Sequence, residues 1–351
     1  MNVSSWIFLL FSLILVIGTY LPFTPKSHWF FRIFDFLRLQ LLAIKVLLLA
    51  IGLVFIHNPE VTIILCYAAI AVAIVAELII IAPYLPYKAK ATGAGQVKLI
   101  SVNVLQSNDQ YQKLIALVEQ QQPDILLTVE TNKDWEKAME KFEKDYPFSR
   151  KIARENTYGM HFYTKLKVID CQVFFFLTEE RPAIKVEMET EDHNRFIFWG
   201  LHPPPPSPSE ETTAKKKDGE LMVAAKLIHD CRQPSIVAGD FNNVCWSGIA
   251  RLFAKVSGLT DARIGRGLYS TFPVKPAIMR YPIDLLYHSA EVTINQMGTL
   301  DSIESDHLPF YAHFSVNSSV TEPPNEMDEA LEEEANEIIQ SGIREQREED
   351  R

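Results

Sequence analysis

Three long apolar runs in the first quarter of the chain constrain its fold more than any other feature. They cover residues 6–23, 39–55 and 61–83 of the 351 residues. Each is about long enough, at roughly 1.5 Å per residue, to cross a hydrocarbon core about 30 Å thick. The first run lacks the basic start and the small-residue cleavage site of a signal peptide. We therefore predict a membrane anchor of three transmembrane helices over residues 1–86.

Two formal charges, Lys45 and Glu77, lie inside these runs. Intramembrane charges are costly and often mark a conduction path or a proton relay. Three helices are few for a transporter. We therefore interpret Lys45 and Glu77 as a pair within the helix bundle or as side chains that snorkel to the interface.

Basic residues beside the apolar runs indicate how the anchor is oriented. They occur in the loop after the first run and in the segment after the third run, and not at the amino terminus or in the turn at residues 57–60. The positive-inside rule then places the large carboxyl-terminal part in the cytoplasm, although a periplasmic location stays open because large domains cross membranes regardless of flanking charge. The first loop also holds an aromatic cluster that predicts an interfacial segment. The basic residues are Lys26, Arg32, Arg38, Lys88, Lys90 and Lys98, and the aromatic residues are Trp29, Phe30, Phe31, Phe34 and Phe36.

The acidic charge of the chain is concentrated at its carboxyl end. The net charge is −10, and residues 321–351 contain 12 acidic and 3 basic residues, so the rest of the chain is close to neutral. We predict that residues 318–351 form a solvated tail that is disordered or partly helical. The four cysteines show no CxxC spacing and support neither a disulfide framework nor a zinc site. No obligate protein partner is inferred.

Residues 97–317, after a linker at 87–96, show the pattern of an α/β domain. The strand-like runs are numerous and hairpin-like, which favours a two-sheet α/β sandwich over a doubly wound parallel sheet. The prolines from 203 and the lysines Lys215, Lys216 and Lys217 predict an exposed loop. Strands are predicted at 97–104, 124–130, 159–164, 168–177, 183–188, 195–201, 235–238, 283–288 and 310–316. Helices are predicted at 109–121, with Ser107 or Asn108 as cap, 132–144, 219–229 and 247–256.

Polar side chains stand at or near the ends of these apolar runs, in separate parts of the chain. They are carboxylates, carboxamides and imidazoles, without a catalytic Ser or Cys motif among them, and this combination indicates a single metal-assisted site at a sheet edge. Oxygen ligands favour Mg²⁺, with Mn²⁺ as the alternative, over Zn²⁺. The residues are Asn103, Glu130, His202, Asp240, Asn242, Asp284, Asp306 and His307.

Several short motifs in this order resemble those of the endonuclease/exonuclease/phosphatase superfamily, which has the deoxyribonuclease I-like fold. The resemblance spans about residues 97–316, and the anchor is similar to that of bacterial membrane-bound members, which implies the bacterial inner (cell) membrane. The motifs are Ser101-Val-Asn103-Val, Asp124-Ile-Leu-Leu-Thr-Val-Glu130, Tyr158-Gly159, His202, Gly239-Asp240-Phe241-Asn242, Ser270-Thr271-Phe272-Pro273, Ile283-Asp284 and Ser305-Asp306-His307-Leu308-Pro309.

The resemblance implies a role for each polar residue. Glu130 matches the main metal ligand, with Asn103 and Asp306 close to the metal. Leu105 stands where many members carry an acidic residue, which puts a second ligand from that strand in doubt. His307 matches a histidine that contacts the phosphate and helps to activate water, and Asp284 matches the carboxylate that orients this histidine. Asp240 matches the residue that positions or deprotonates the water, and Asn242 matches a hydrogen-bond donor in the transition state. His202 matches a general acid.

We therefore predict a membrane-anchored, Mg²⁺-dependent phosphoester hydrolase in which an activated water attacks a phosphodiester. The substrate is a nucleic acid or a phospholipid headgroup. The nearly neutral charge outside the tail lacks the basic stripe of most nucleic-acid enzymes, and the nearby bilayer makes a lipid headgroup a realistic alternative. A noncatalytic membrane receptor or scaffold for a phosphorylated ligand is the other hypothesis. It predicts loss of a core catalytic residue, and none is lost.

Overall fold

The computed structural model describes residues 3–87, 95–205, 207, 211–231, 233–317, 327–349 and 351. Its amino-terminal part contains α1 (Val3–Tyr20), α2 (Trp29–Phe36), α3 (Arg38–Phe55) and α4 (Val61–Ile81). Three segments are long and apolar enough to cross a membrane, and they agree with the three predicted runs. They are Val3–Phe23, Arg38–Phe55 and Val61–Tyr84.

A buried ion pair joins the three long helices of the anchor. The Nζ atom of Lys45 in α3 lies 2.5 Å from Oε1 of Glu77 in α4 and donates at the same distance to the hydroxyl of Thr19 in α1. Both charged side chains are almost fully buried. This confirms the interpretation of Lys45 and Glu77 as a pair within the bundle.

Twelve strands of the described chain form two six-stranded sheets. The first sheet has the order β11-β12-β1-β2-β4-β3 and the second β5-β6-β7-β8-β10-β9. The first sheet consists of β1 (Val97–Asn103), β2 (Ile125–Val129), β3 (Phe148–Ile152), β4 (Met160–Thr164), β11 (Val292–Thr299) and β12 (Phe310–Val316). The second consists of β5 (Lys167–Phe175), β6 (Pro182–Glu189), β7 (Arg195–Gly200), β8 (Ser235–Asp240), β9 (Thr260–Asp261) and β10 (Asp284–His288).

The two sheets pack face to face, and helices cover their outer faces. Apolar side chains that alternate along the strands fill the space between the sheets, among them Leu99, Phe162 and Phe198. Helices α5 (Tyr111–Gln121) and α6 (Lys133–Met139) cover the first sheet, while α7 (Lys215–His229), α8 (Gly248–Ser257) and α9 (Glu329–Glu349) cover the second. This α/β sandwich confirms the predicted fold class.

Local signals predicted most elements of the sandwich, with some errors. Strands β3, β9 and β11 were not predicted. Helix α5 begins at Tyr111 after Gln110, and no side chain caps it, so the prediction of Ser107 or Asn108 as cap is wrong. The amide of Asn108 instead donates to Val104 O and Ile303 O, which ties the loop before α5 to the segment before β12.

The prediction of an exposed loop at Lys215–Lys217 is also wrong. These residues form the first turn of α7, and Lys216 and Lys217 are buried. The reason is a distant partner, since Lys216 Nζ lies 2.5 Å from carboxylates of Glu211 and of Glu349 at the end of α9. The described part of the predicted tail is thus a helix docked on α7, whereas residues 318–326 lie outside the described residues.

Candidate active site

The topology of the two sheets brings the predicted polar residues to one edge of the sandwich. Strands β1 and β2 are parallel, as are β7 and β8, so each pair delivers its carboxyl ends to one edge of its sheet. Asn103 ends β1 and Glu130 follows β2, while Asp240 ends β8 and His202 lies two residues beyond β7. Asp284 begins β10 opposite Asp240, because these strands are antiparallel.

Asp240 is the centre of the hydrogen-bonded cluster. Its Oδ1 accepts a hydrogen bond from the backbone N–H of Asn242 at 2.9 Å, and its Oδ2 accepts one from the amide of Asn103 at 3.1 Å. The same Oδ2 lies 3.5 Å from Nε2 of His307 and 3.9 Å from Nε2 of His202. Four of the predicted site residues therefore meet at one carboxylate.

A glycine permits this close approach. Gly239, next to Asp240, has a φ of 146°, and a Cβ there would lie 1.9 Å from the carbonyl oxygen of Leu201. Leu201 also donates its backbone N–H to Ala238 O. Only glycine fits between β8 and the segment that carries His202, which explains why the apolar run of β8 stops at a glycine.

His307 stands between two carboxylates. Its Nδ1 lies 2.9 Å from Oδ2 of Asp284, on the side opposite to Asp240. Burial alone would lower the pKa of His307, but Asp284 and Asp240 outweigh it and raise the pKa to about 10. The imidazole is therefore a buried cation at neutral pH, held in one orientation by Asp284.

The loop that carries Asp306 and His307 is fixed from both sides. The hydroxyl of Ser305 donates to Asn103 O at 2.8 Å and accepts from the backbone N–H of His307 at 3.1 Å. The Asp306 carbonyl accepts from Val274 N at 2.8 Å. The loop is thus tied to β1 and to the 271–274 segment.

Glu130 has a different environment from Asp240. Its carboxylate accepts hydrogen bonds from the amide of Asn103 at 2.7 Å and from the backbone N–H of Gln106 at 3.2 Å. Among the described residues, no Lys or Arg lies within ion-pair distance of it. Burial raises the pKa of Glu130 despite these two donors. A half-buried carboxylate whose hydrogen-bond donors are all neutral is a position at which a cation is favoured, and the nearby His307 acts in the same direction by lowering the pKa of Glu130.

Two further groups are tuned by burial. Burial raises the pKa of Asp240 to about 7, and the nearby Asp284 contributes. Burial lowers the pKa of His202 to about 3, and the positive His307 contributes. Asp240 is thus poised near neutral pH, the range that suits a general base, while His202 is neutral.

A pocket of about 340 Å³ opens over this cluster. Asp284 lies behind His307, and Asn103 lies beneath the two carboxylates that it bonds. Phe272 is also in the wall, with its ring 4.7 Å from that of His307. The predicted residues that line the pocket are Glu130, His202, Asp240, Asn242, Asp306 and His307.

Three residues at this site were not given a role from the sequence. Phe36, from the membrane-proximal helix α2, lines the pocket. Ser305 orients His307, as described above. Arg263 is fully buried and its guanidinium donates to the backbone carbonyl of Asp284. Ser305 is part of the motif that contains Asp306 and His307, so the sequence could have indicated its role. No local sequence pattern places residues 36 or 263 near the strand ends.

Two groups of side chains at this site carry donors for a divalent cation. Ligand atoms of Asp240, Asp284 and His307 lie within 4.8 Å of one another, a spacing that could hold a metal ion. The imidazolium already supplies positive charge there. Around Glu130, the nearby oxygens of Asp306 and Asn103 supply hard donors, and Asn103 Oδ1 also accepts from Leu105 N at 2.9 Å. Hard oxygen donors of this kind suit Mg²⁺ or Mn²⁺.

Comparisons with known proteins agree with this geometry. The sandwich with polar residues at its strand ends defines a deoxyribonuclease I-like protein. The model of the Endonuclease/Exonuclease/phosphatase family matches residues 100–307, more than half of the chain, and the protein belongs to this family. Its members are generally metal-dependent phosphoester hydrolases. No curated protein sequence matches the chain significantly.

Solved structures share the fold at low sequence identity. A humanized D. rerio TDP2 with 14 mutations is 15% identical with a TM-score of 0.54, and the match covers 62% of this chain and 98% of that one. The endonuclease/exonuclease/phosphatase from Beutenbergia cavernae is 12% identical with a TM-score of 0.51, covering 65% and 72%. The human Nocturnin catalytic domain is 16% identical with a TM-score of 0.50, covering 62% and 94%.

Proposed function

We propose that the protein is a membrane-anchored, divalent-metal-dependent hydrolase of phosphodiesters. The observation that carries this proposal is the pocket of about 340 Å³ lined by Glu130, Asp240 and His307, in which Asp284 holds His307 from behind. Asp240 supplies a base, His307 a fixed positive charge and Glu130 a carboxylate without a Lys or Arg partner, all in a pocket that a small substrate can fill. Family membership supports the same reaction class.

Glu130 is the residue that would hold Mg²⁺ or Mn²⁺, with Asp306 and Asn103 near it. The ion supplies neutralisation of phosphate charge when bound. Because Asn103 bonds both Glu130 and Asp240, it fixes the distance between the metal-holding carboxylate and the water-positioning carboxylate. A change at Asn103 therefore affects both halves of the site.

Asp240 positions the attacking water and accepts its proton, for which a pKa of about 7 is suited. The backbone of Asn242 holds Oδ1 of Asp240, and its side-chain amide donates one hydrogen to Pro203 O at 3.0 Å. The hydrogen bond to Pro203 O orients the Asn242 amide, and its second hydrogen donates to a phosphate oxygen in the transition state.

His307 acts as a fixed cation toward the phosphate, and Asp284 holds its orientation. His202, on the other side of Asp240, protonates the leaving oxygen. It is neutral in the free site, so the negative charge of a bound phosphate raises its proton affinity for this step. His307 and His202 thus have separate roles, one electrostatic and one acid.

The three long apolar helices support a location of this site at a membrane. Helix α2 and the catalytic domain are in contact and share one side of the membrane, and the basic residues on that side favour the cytoplasmic face of a bacterial inner membrane. A reporter fused after Asn317 tests the side. We expect a cytoplasmic signal, and a periplasmic signal would contradict the assignment.

The reaction is tested with the full-length chain in lipid nanodiscs. With Mg²⁺ we expect hydrolysis of bis(4-nitrophenyl) phosphate, and loss of that hydrolysis on chelation with EDTA. Single- and double-stranded nucleic acids, sphingomyelin and phosphoinositides are assayed in parallel. Absence of turnover for all of them with both Mg²⁺ and Mn²⁺ would overturn the proposal in favour of a receptor for a phosphorylated ligand.

A further inference from the structure

The membrane-proximal helix α2 is firmly docked on the catalytic domain. The indole N–H of Trp246 donates to the backbone carbonyl of Asp35 at 2.8 Å, and Asp35 itself pairs with Arg38 at 2.7 Å. At the other end of α2, His28 forms a β-bridge with Thr213. A second tie comes from the end of the third span, where the Tyr84 hydroxyl donates to Cys245 O at 2.7 Å. The catalytic domain is therefore held at a fixed orientation to the spans.

This docking inserts a residue of the anchor into the catalytic pocket. Phe36, the last residue of α2, lines the pocket together with Glu130 and His307. Its ring lies 5.5 Å from that of Tyr281, whose backbone pairs with Phe272, another pocket residue. Phe36, Phe272 and Ile283 form an apolar wall of the pocket, and this wall adjoins the acidic and imidazole groups, since the Phe272 ring contacts that of His307. The pocket is amphipathic.

The pocket lies next to the start of the second span. The second span begins at Arg38, two residues after Phe36, so their Cα atoms are at most about 7 Å apart. The turn Ala277–Met279 reaches the same level, because Gln40 inside that span donates its amide to Ile278 O at 2.9 Å. The Ile278 side chain is 80% exposed there, which is the position of an apolar residue that enters the membrane interface.

Charge around the pocket discriminates between the two substrate classes. Among the described residues that line it there is no Lys or Arg to follow a polynucleotide backbone. A cytoplasmic membrane surface is negative, and it repels a nucleic acid that approaches it. A lipid phosphodiester is already in that plane, and its headgroup needs only a small amphipathic cavity.

We propose that Phe36 completes the active site from the membrane side and that the substrate is a phosphodiester lipid of the same bilayer in which the chain is anchored. The headgroup enters between Phe36 and the 277–279 turn, with the apolar wall against the lipid and the phosphate toward Glu130 and His307. This inference rests on the proposed hydrolase function and adds its substrate class and its restriction to one membrane.

The reaction is balanced with water alone. A water oxygen forms a bond to phosphorus, one P–O ester bond breaks, a proton passes from the water to Asp240, and the leaving oxygen takes up a proton. One phosphodiester and one water give one phosphomonoester and one alcohol. No oxidant, reductant or further co-reactant is needed.

The test is hydrolysis in cis and in trans. The full-length chain is reconstituted in vesicles that contain mixed bacterial-type phospholipids with Mg²⁺, and a second vesicle population without protein carries the same lipids with an isotopic label. We expect cleavage of lipids in the protein-bearing vesicles at a rate at least about tenfold above that of the labelled vesicles. The deacylated glycerophosphodiesters and single-stranded DNA are separate arms, and both should react at least about tenfold more slowly than the lipid in cis.

Variants isolate the contribution of Phe36. For Phe36→Ala we expect the ratio of lipid hydrolysis to bis(4-nitrophenyl) phosphate hydrolysis to fall about tenfold, because the apolar wall is lost. Phe36→Leu should recover most of that ratio. Phe30→Ala is the matched control, since Phe30 lies on the same helix, is 45% exposed and does not line the pocket, and its ratio should equal that of the wild type.

The outcomes separate this inference from the proposed function. Turnover of the soluble diester or of DNA without turnover of lipid, or equal rates for lipids in cis and in trans, would overturn the lipid assignment and leave the hydrolase intact. Preferred cleavage of DNA would assign the pocket to a nuclease. Absence of turnover of every substrate, bis(4-nitrophenyl) phosphate included, would overturn the hydrolase and this inference with it.

Discussion

The two central carboxylates of the pocket lie at strand ends, but their surroundings differ, and Asp240 is buried whereas Glu130 is half-buried. Asp240 faces the cationic His307 and receives two hydrogen bonds, whereas Glu130 receives two hydrogen bonds from neutral donors. Asp240 is therefore balanced by the protein itself, whereas the proposed function assigns an external cation to Glu130. On this proposal one half of the site is complete in the folded chain and the other half is completed by metal.

The largest effect on either half is expected in catalysis. Glu130→Gln and His307→Ala should each lower kcat/KM for bis(4-nitrophenyl) phosphate by about 10²–10⁴-fold, since each removes a main electrostatic group. His193→Ala is the matched control, because the His193 side chain is 86% exposed. Near-wild-type rates in both site variants would show that the pocket is not the active site.

The free energy of unfolding without metal should differ between His307→Ala and Glu130→Gln. His307→Ala leaves Asp240 and Asp284 facing each other without a cation, and we expect a loss of about 3–5 kcal/mol. Glu130→Gln removes an uncompensated charge while keeping its shape, so the free energy of unfolding should stay equal or rise by up to about 1 kcal/mol. Thermal unfolding in EDTA measures both. A similar loss in both variants would contradict the division of the site.

Stabilisation by Mg²⁺ should depend on Glu130 and not on the half of the site that contains Asp240, Asp284 and His307. In the wild type, Mg²⁺ at about ten times its Kd should stabilise the fold by about 1.4 kcal/mol. Glu130→Gln should shift the Mg²⁺ concentration for half-maximal stabilisation upward by at least about tenfold, and Asp284→Asn should shift it little. Titration of the unfolding temperature with Mg²⁺ measures this. A larger shift in Asp284→Asn would move the metal to the Asp240, Asp284 and His307 cluster.

The smallest expected effect is the pH dependence of the metal-free protein. The pKa of His307 is raised from 6.5 to about 10 on folding, so the folded state binds more protons between these values. The stabilisation is complete below about pH 6.5 and is lost as pH rises through about 10. Between pH 8 and 9 the unfolding temperature in EDTA should fall about 4 °C further in the wild type than in His307→Gln, for about 1.3 kcal/mol. Equal slopes would contradict the charged state of His307.

The polar residues of the pocket could be predicted from the sequence because each of them follows a local pattern. Asp240 follows an apolar strand and a glycine, and Glu130 follows another apolar strand, so pattern and motif suffice to predict both. The strand order then places them together, as the parallel pairing of β1 with β2 and of β7 with β8 requires.

The features that were missed depend on contacts between distant segments. Lys216 is buried between the carboxylates of Glu211 and Glu349, and the second of these lies 133 residues away in the sequence. Phe36 reaches the pocket because Trp246, 211 residues from Asp35, ties α2 to the domain. The aromatic cluster around Phe36 and the lysine run at 215–217 do not reveal these distant partners in the sequence. Composition alone therefore predicts a helix in the headgroup layer and a solvated loop.

The ion pair in the anchor has a consequence for how the chain is inserted. Lys45 and Glu77 belong to different spans, and Thr19 of the first span bonds to Lys45. An isolated second span would carry a bare ammonium into hydrocarbon, at a cost of about 2.5–3.5 kcal/mol on insertion scales. We therefore expect the second span to be more stable in the membrane once the third span is beside it, so that the three spans of the anchor stabilise one another.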